Sequence, residues 1–388
     1  MAINNTILYT REVNLSRVIS SIFLFGPRMT GKTKLLEGLN AHRYFDLLDP
    51  EIELKFNVSP KLFWEEISAL PQGSKIVVDE IQRVPVLLDY IQMGIEKLNH
   101  QFFLSGSSAR KLKRGGANLL GGRALEFHLH PLTVFELGKE FNINQALRFG
   151  TLPKVASFLK EKREQEVIQI LRSYYTIYLK EEIQAEALVR HLDTFQRFFE
   201  VAAQANGQVI EYANISRECA VAQSTVKEYY QILEDTLIGR FLWPFNASER
   251  KKARPKFYFF DCGVVHAIQN RLTSEPSPRD KGILFETWFM NELLRIRDYT
   301  QKEHKISLWR EDSWEIDFLI EGGQGPLVAF ECKSGKQIKN EHSLRAFHSR
   351  FKHVPLYIVS LQDEHPRKLE EGITLLPWYN AIELYRKL

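Results

Sequence analysis

The chain has 388 residues, 44% hydrophobic and 26% charged, apolar enough for buried cores, which excludes disorder, a collagen-like chain or a coiled coil as its main character. Fifty-two Lys and Arg against 48 Asp and Glu leave a net charge of +4, a bias that permits a nucleic-acid partner without arguing for one. Cys219, Cys262 and Cys332 form no CxxC pair, so neither a disulfide framework nor a zinc site is expected, and a reducing compartment fits.

The start, MAINNTILYTREVN, is too polar for a signal core, and no window reaches the ~18 apolar residues of a membrane span. A soluble, cytoplasmic protein without a membrane partner is expected. Residues 1–150 alternate short apolar runs (SIFLFG, KIVVDE, QFFLSG, ALEFHLHPL) with amphipathic stretches, which predicts a mainly parallel α/β sheet with crossover helices. Residues 151–255 turn to helical periodicity, as in VIQILRSYYTIYLKEEI and TFQRFFEVAAQ. Residues 256–388 return to an α/β pattern: FYFFDCG, the long helical GILFETWFMNELLRI, then ISLWR, EIDFLI, LVAFECKSG and LYIVS. Three domains with those limits are the expectation.

Gly26, Pro27, Arg28, Met29, Thr30, Gly31, Lys32 and Thr33 spell GxxxxGK[ST] between a strand pattern and a helix pattern, the context of a phosphate-binding loop. Glycines let backbone N–H groups approach phosphate oxygens, and the helix start adds positive potential. In such a loop Lys32 reaches the β and γ phosphates of ATP and the Thr33 hydroxyl ligates Mg²⁺. The strand KIVVDE ends in Asp79 and Glu80 at the sheet edge where α/β folds bind ligands. Asp79 is placed to hold the Mg²⁺ and Glu80 to polarise the attacking water. Ser105, ending QFFLS, is a candidate for the γ-phosphate or the water, with a turn cap as the plain alternative. Arg123, flanked by glycine, is a candidate arginine finger; Arg110 competes, and a solvated surface arginine is the plain reading of both.

These residues resemble the AAA+ ATPases, in particular a prokaryotic group reading GPRxxGKT, DEIQ, GSS, GR and PL before a C-terminal domain of unknown function. The matches are Gly26 to Thr33, Asp79 to Gln82, Gly106 to Ser108, Gly122 with Arg123, and Pro131 with Leu132. Arg11 fits the basic residue such proteins carry near their start. The resemblance implies a P-loop AAA+ parallel-sheet domain and ring-shaped homo-oligomers, such as a hexamer, with the finger supplied by a neighbour.

In the middle segment, Tyr212–Cys219 and Ser224–Leu233 are two short helix patterns joined by Ala-Val-Ala-Gln. Val226, Tyr229 and Leu233 fall on one inward face, Ser224 is a candidate N-cap, and Gln223, Thr225, Lys227 and Tyr230 are read as pointing outward. The pattern resembles a winged helix with GRFLWPF as its wing, which in a DNA reader places the second helix in the major groove; a structural lid or a subunit contact is the plain alternative that the resemblance implies. The adjoining basic run ERKKARPK, residues 249–256, offers charge to phosphates.

The last segment carries Glu286 in its long helix, Asp317 in WEIDFLI, and Glu331 and Lys333 in LVAFECKSG. Glu331 and Lys333 are two apart on a strand and share one face. An antiparallel hairpin would bring Asp317 and Glu331 together as hard ligands for Mg²⁺, or Mn²⁺, with Glu286 completing the shell and Lys333 orienting water; a structural salt-bridge cluster on a sheet face is the plain alternative. A helix Glu, a strand Asp and E-x-K together resemble the PD-(D/E)xK nuclease superfamily, which implies a restriction-endonuclease-like α/β domain; Ile316 stands where the family has proline.

The combined expectation is an ATP-hydrolysing AAA+ protein acting on DNA, with a metal-dependent nuclease centre at its C-terminal end. Its alternative is a nucleotide-switched regulatory ATPase with a non-catalytic docking domain. A small-molecule kinase is disfavoured by the long additional domains.

Overall fold

The computed structural model describes residues 9–15, 17–107, 120–178, 183, 191–245, 254–335, 341–369 and 372–388; Ser108, Arg110 and the basic run at 249–253 lie outside them. Two compact units are present: the chain up to Leu132 with Asp235–Ile238, and Thr133–Glu234 with Gly239–Leu388. No helix among the described residues is long and apolar enough to cross a membrane.

The first unit runs β1 (Ser21–Phe25), α1 (Lys32–Glu37), β2 (Arg43–Asp46), α2 (Pro50–Val58), α3 (Lys61–Ser68), β3 (Lys75–Asp79), α4 (Leu87–Leu98), β4 (Gln101–Gly106) and β5 (Ala124–His128). The five strands form one parallel sheet in the order β2-β3-β4-β1-β5. β1, β3 and β4 are near-continuous apolar runs because helices cover both faces of a parallel sheet. Pro50 opens α2, capped by Asp49, whose Oδ1 accepts the Glu51 N–H at 2.8 Å. α4 turns Leu87, Leu88 and Ile91 inward onto the sheet core. The edge strand β2, Arg-Tyr-Phe-Asp, buries Phe45 alone and so carries no apolar run a sequence reading would select.

Register places the site. β4 lies between β1 and β3, with Leu24 opposite Ser105 and Val78 opposite Leu104. The loop after β1, the acid pair ending β3 and the serine ending β4 therefore emerge side by side at one sheet edge.

The second unit begins with α5 (Val134–Leu137), α6 (Ile143–Phe149), α7 (Pro153–Lys160), α8 (Glu164–Ile177), α9 (Leu192–Gln204), α10 (Tyr212–Cys219) and α11 (Gln223–Asp235). β6 (Gly239–Leu242) and β7 (Lys256–Phe259) form an antiparallel pair. Then come α12 (Cys262–Ile268), α13 (Pro278–Tyr299), β8 (Lys305–Glu311), β9 (Trp314–Gly322), β10 (Gly325–Lys333), α14 (Glu341–Arg350), β11 (Leu356–Ser360), β12 (Arg367–Lys368), β13 (Thr374–Pro377) and α15 (Trp378–Lys387). The six-stranded sheet has the order β12-β13-β11-β10-β9-β8. β8, β9 and β10 form an antiparallel meander, while β11 joins β10 and β13 in parallel.

This division differs from limits at 150/151 and 255/256, for two local reasons. Asp261 caps α12 through Oδ1, which accepts the Gly263 N–H at 2.9 Å, while its Oδ2 accepts the Thr151 N–H at 2.8 Å. A Cβ on Gly263 would lie 2.0 Å from the Phe149 carbonyl oxygen, so α6 and α12 meet at a contact only glycine permits. A limit at 255/256, in turn, would cut the β6–β7 hairpin immediately before Lys256.

Candidate functional site

The loop between β1 and α1 closes tightly on itself. A Cβ on Gly26 would sit 2.3 Å from the Leu129 carbonyl oxygen, and Met29 and Gly31 take positive φ of 64° and 95°. Thr30 Oγ1 donates to the Pro27 carbonyl at 2.9 Å. Arg11 clamps the loop: Nη1 donates to the Thr30 carbonyl at 2.7 Å and Nη2 to the His130 carbonyl at 2.6 Å. Lys32 Nζ donates to the carbonyls of Gly26 at 2.8 Å and Pro27 at 3.2 Å.

Asp79 is fully buried and is met from three sides. Thr33 Oγ1 donates to its Oδ2 at 2.7 Å, Tyr44 donates its phenol to the same oxygen at 2.9 Å, and Ser105 donates to Oδ1. Burial, then the Asp79 charge, pushes the Tyr44 phenol up, so it stays a donor. Ser105 Oγ also accepts the Glu80 N–H at 3.0 Å. The serine thus fixes the acid pair of β3. Glu80 sits at φ 59°, and its carboxylate accepts from Gln82 Nε2, which also donates to Ser107 Oγ at 3.2 Å.

These residues fit a magnesium nucleotide. The close-packed glycine turn is the cradle a phosphate needs, and the Thr33 hydroxyl and Asp79 carboxylate, hard oxygen donors, already lie within one hydrogen bond of each other. Arg123 lies elsewhere on the unit: Nη2 pairs with Glu96 Oε1 at 2.8 Å, both side chains about two-fifths exposed. Tyr44 is a site neighbour that spacing alone does not announce. Tyr44 stands two residues before Asp46 on an unremarkable edge strand, whereas Gln82 is legible as the fourth residue of DEIQ.

In the second unit, the β9–β10 hairpin brings Asp317 and Glu331 together: the Asp317 N–H donates to Glu331 Oε2 at 3.2 Å and the Cys332 N–H to Asp317 Oδ2 at 2.9 Å. Lys333 Nζ donates to Glu331 Oε1 at 2.6 Å, as strand alternation requires. Glu286 joins from α13. Its Oε1 accepts from Lys256 Nζ at 2.7 Å and from the Tyr258 phenol. Lys256 Nζ also meets Glu315 Oε1 at 2.8 Å and Asp317 Oδ1 at 3.5 Å. Burial alone would lower the Lys256 ammonium, but Glu286, Tyr258, Asp317 and Glu315 outweigh it and hold its pKa well above the usual value.

These partners do not fit the expected Mg²⁺ or Mn²⁺: an ammonium already stands between the carboxylates, and among the described residues no group of three or more His, Cys, Asp or Glu side chains is arranged to hold a metal ion. Lys256 is the residue the sequence reading missed. Counted with the basic run for phosphates, it is buried, because it opens β7 and alternates with Tyr258 toward Glu286.

In the middle helices Val226, Tyr229 and Leu233 are buried as expected. Tyr230 is not outward: it is fully buried against the rings of Phe198 and Phe257, both 4.9 Å away. α11 starts at Gln223, which puts Ser224 inside the first turn rather than at the cap. Gln223, Ser224 and Lys227 are exposed, and Lys227 Nζ lies 5.2 Å over the Tyr212 ring.

Three family models match along the chain: an AAA domain over residues 20–138, a domain of unknown function (DUF8612) over 140–275, and a domain of unknown function (DUF4143) over 281–381. With this loop and this five-stranded parallel order, that decides the first unit. It carries an AAA domain with a P-loop. An uncharacterized protein of Mycobacterium tuberculosis is 27% identical over 367 residues, covering 92% of this chain and 79% of the relative. One of Methanocaldococcus jannaschii is 22% identical over 418 residues, covering 95% and 90%. Among solved structures, the replication initiator DnaA bound to AMPPCP and single-stranded DNA aligns at TM-score 0.29 and 15% identity over 57% of this chain and 84% of that one. The Aeropyrum pernix ORC2 protein in its ADP form aligns at 0.31 and 10% over 66% and 88%. Likeness that slight extends to neither ligand nor function.

Proposed function

We propose that the chain hydrolyses ATP at the Gly26–Thr33 loop and acts on DNA through the helical part of its second unit. The observation that carries the first half is the buried Asp79, bonded at once to Thr33 of the loop and to Ser105 of the neighbouring strand. Thr33 and Asp79 would hold the magnesium of MgATP, and the bound ion would supply charge neutralisation at the β- and γ-phosphate oxygens. Lys32 exchanges neutral carbonyl partners for phosphate oxygens, a charge-assisted bond roughly twice as strong. Glu80 takes a proton from the attacking water at its carboxylate, which requires release from Gln82. Arg11 ties the loop to the segment after β5 through the Thr30 and His130 carbonyls.

The test is Glu80→Gln: nucleotide binding persists while turnover falls by about 10²-fold or more. Turnover at the wild-type level would remove Glu80 from the reaction. Support for DNA comes from α9, α10 and α11 followed by the β6–β7 pair, the three-helix-and-hairpin order of a winged helix. Duplex DNA should then stimulate turnover in a salt-sensitive way.

One observation favours the second reading, a nucleotide-gated switch: the Glu80 carboxylate is engaged by Gln82 in the resting site. A switch predicts slow turnover indifferent to DNA and raised by Gln82→Ala. The C-terminal order α13-β8-β9-β10-α14-β11 supports the nuclease-like reading of that core. Fold alone does not fix its chemistry.

A further inference from the structure

Lys256 and Tyr258 are two residues apart on β7, so their side chains leave the strand on one face, and both reach Glu286 Oε1. The Lys256 ammonium has three N–H donors, and Glu286, Glu315 and Asp317 stand at 2.7, 2.8 and 3.5 Å from it. The cluster's other oxygens are also committed. Asp317 Oδ2 takes the Cys332 N–H, Glu331 takes Lys333 and the Asp317 N–H, and Glu315 Oε2 takes Arg310 Nε at 2.8 Å. A divalent ion bound to Glu286 and Asp317 needs their oxygens at about 2.0–2.6 Å, in the space Nζ fills.

We propose that the Lys256 ammonium is the resident cation of this centre. It stands where a nuclease-like core would carry a divalent ion, and the wild-type centre neither binds that ion nor cleaves phosphodiesters. Four carboxylates, Glu286, Glu315, Asp317 and Glu331, face three cations, Lys256, Lys333 and Arg310, so the charge is nearly closed within the chain. Swinging Lys256 out to admit a metal would break three ion pairs of a side chain only 7% exposed, and losing one partner of a buried pair is strongly unfavourable. The strand that carries the lysine also forms the β6–β7 hairpin, so the cation arrives with the element that follows the helical segment. The lysine's role rests on the nuclease-like reading of this core and is independent of the ATP site.

The experiment is Mn²⁺ titration of the nucleotide-free full chain by electron paramagnetic resonance, with supercoiled-plasmid nicking in Mn²⁺ beside it. Each protein is paired with its Asp317→Asn counterpart, so that binding at the other unit subtracts out. The wild type should show no Asp317-dependent binding up to about 1 mM, the weak end for protein cation sites, and no Asp317-dependent nicking. Lys256→Ala should gain Asp317-dependent Mn²⁺ binding at least about tenfold tighter than wild type, because three carboxylates are left facing one another. Asp317-dependent binding or nicking by the wild type overturns the proposal, as does a cooperatively melting Lys256→Ala that gains none. Lys256→Met, which keeps the volume of the stem, replaces alanine if that variant unfolds. If both unfold, the wild-type titration decides alone.

Discussion

The two units each hold a buried lysine against oxygen atoms beside a sheet, and they hold it in opposite ways. Lys32 donates to the carbonyls of Gly26 and Pro27, two neutral contacts that an incoming phosphate can replace with gain. Lys256 rests among the carboxylates of Glu286, Glu315 and Asp317, and no incoming anion improves on that. The same contrast runs through the acids. Asp79 is bonded to hydroxyls of Thr33, Tyr44 and Ser105, which leave its negative charge uncancelled and available to a cation. Asp317 is bonded to a backbone N–H and faces an ammonium. A titratable residue poised for a ligand is told by partners that do not cancel its charge.

Two lysine substitutions put this contrast at risk. Lys256→Ala should destabilise the chain by about 3–5 kcal/mol, the cost of leaving buried carboxylates without their cation, while leaving ATP turnover of the folded protein unchanged. Lys32→Ala should do the reverse, lowering kcat/KM for ATP by about 10²–10³-fold with little change in the melt. Denaturant unfolding and a phosphate-release assay on both variants read the exchange. If Lys32→Ala unfolds the protein and Lys256→Ala does not, the two lysines have been assigned the wrong way round.

How much of this was legible beforehand follows from the range of the interactions. The loop, the acid pair and Ser105 could be read because each ends an apolar run, and a parallel sheet collects strand ends at one edge. Glu331 with Lys333, and Asp317 across the hairpin, followed from strand alternation and spacing for the same reason. Lys256 was illegible because its neighbours Arg250, Lys251 and Lys252 make it look like one charge in a solvated run. The pairing of β7 with β6, together with the bridge from Val209 to Lys256, turns it inward. Tyr230 failed for a related reason: the helical pattern gave its angle, but the inward arc is wide enough to take Tyr229 and Tyr230 together, because Phe241 and Phe257 of the hairpin cover that side. The contacts of Asp261 and Gly263 with Thr151 and Phe149 across the 150/151 limit join residues more than a hundred positions apart, and no local pattern carries that.

A smaller effect sharpens the acid half of the contrast. Ser105→Ala removes one hydroxyl from the buried Asp79 and the acceptor of the Glu80 N–H. Stability should drop by about 1–3 kcal/mol, the cost of buried polar groups left unpaired. ATP turnover should fall further than nucleotide affinity, because Ser105 positions Glu80 rather than touching the loop. Parallel losses in affinity and turnover would instead return Ser105 to the phosphate.

The smallest effect belongs to Arg123. Its pair with Glu96 is a surface one, both side chains about two-fifths exposed, and such pairs contribute about 0–1 kcal/mol. Arg123→Ala should therefore shift stability by less than about 0.5 kcal/mol, and its use is as a probe of assembly. A finger offered to a neighbouring copy must first leave Glu96, a small cost that the charge growing on a transferring phosphate easily exceeds. In that case turnover per wild-type chain rises with protein concentration, the rise disappears in Arg123→Ala, and it returns when that variant is mixed with Lys32→Ala. The mixture is informative because one partner supplies the intact loop and the other the arginine. Turnover that is independent of concentration, and equal in Arg123→Ala, leaves the residue as the exposed half of an ordinary ion pair.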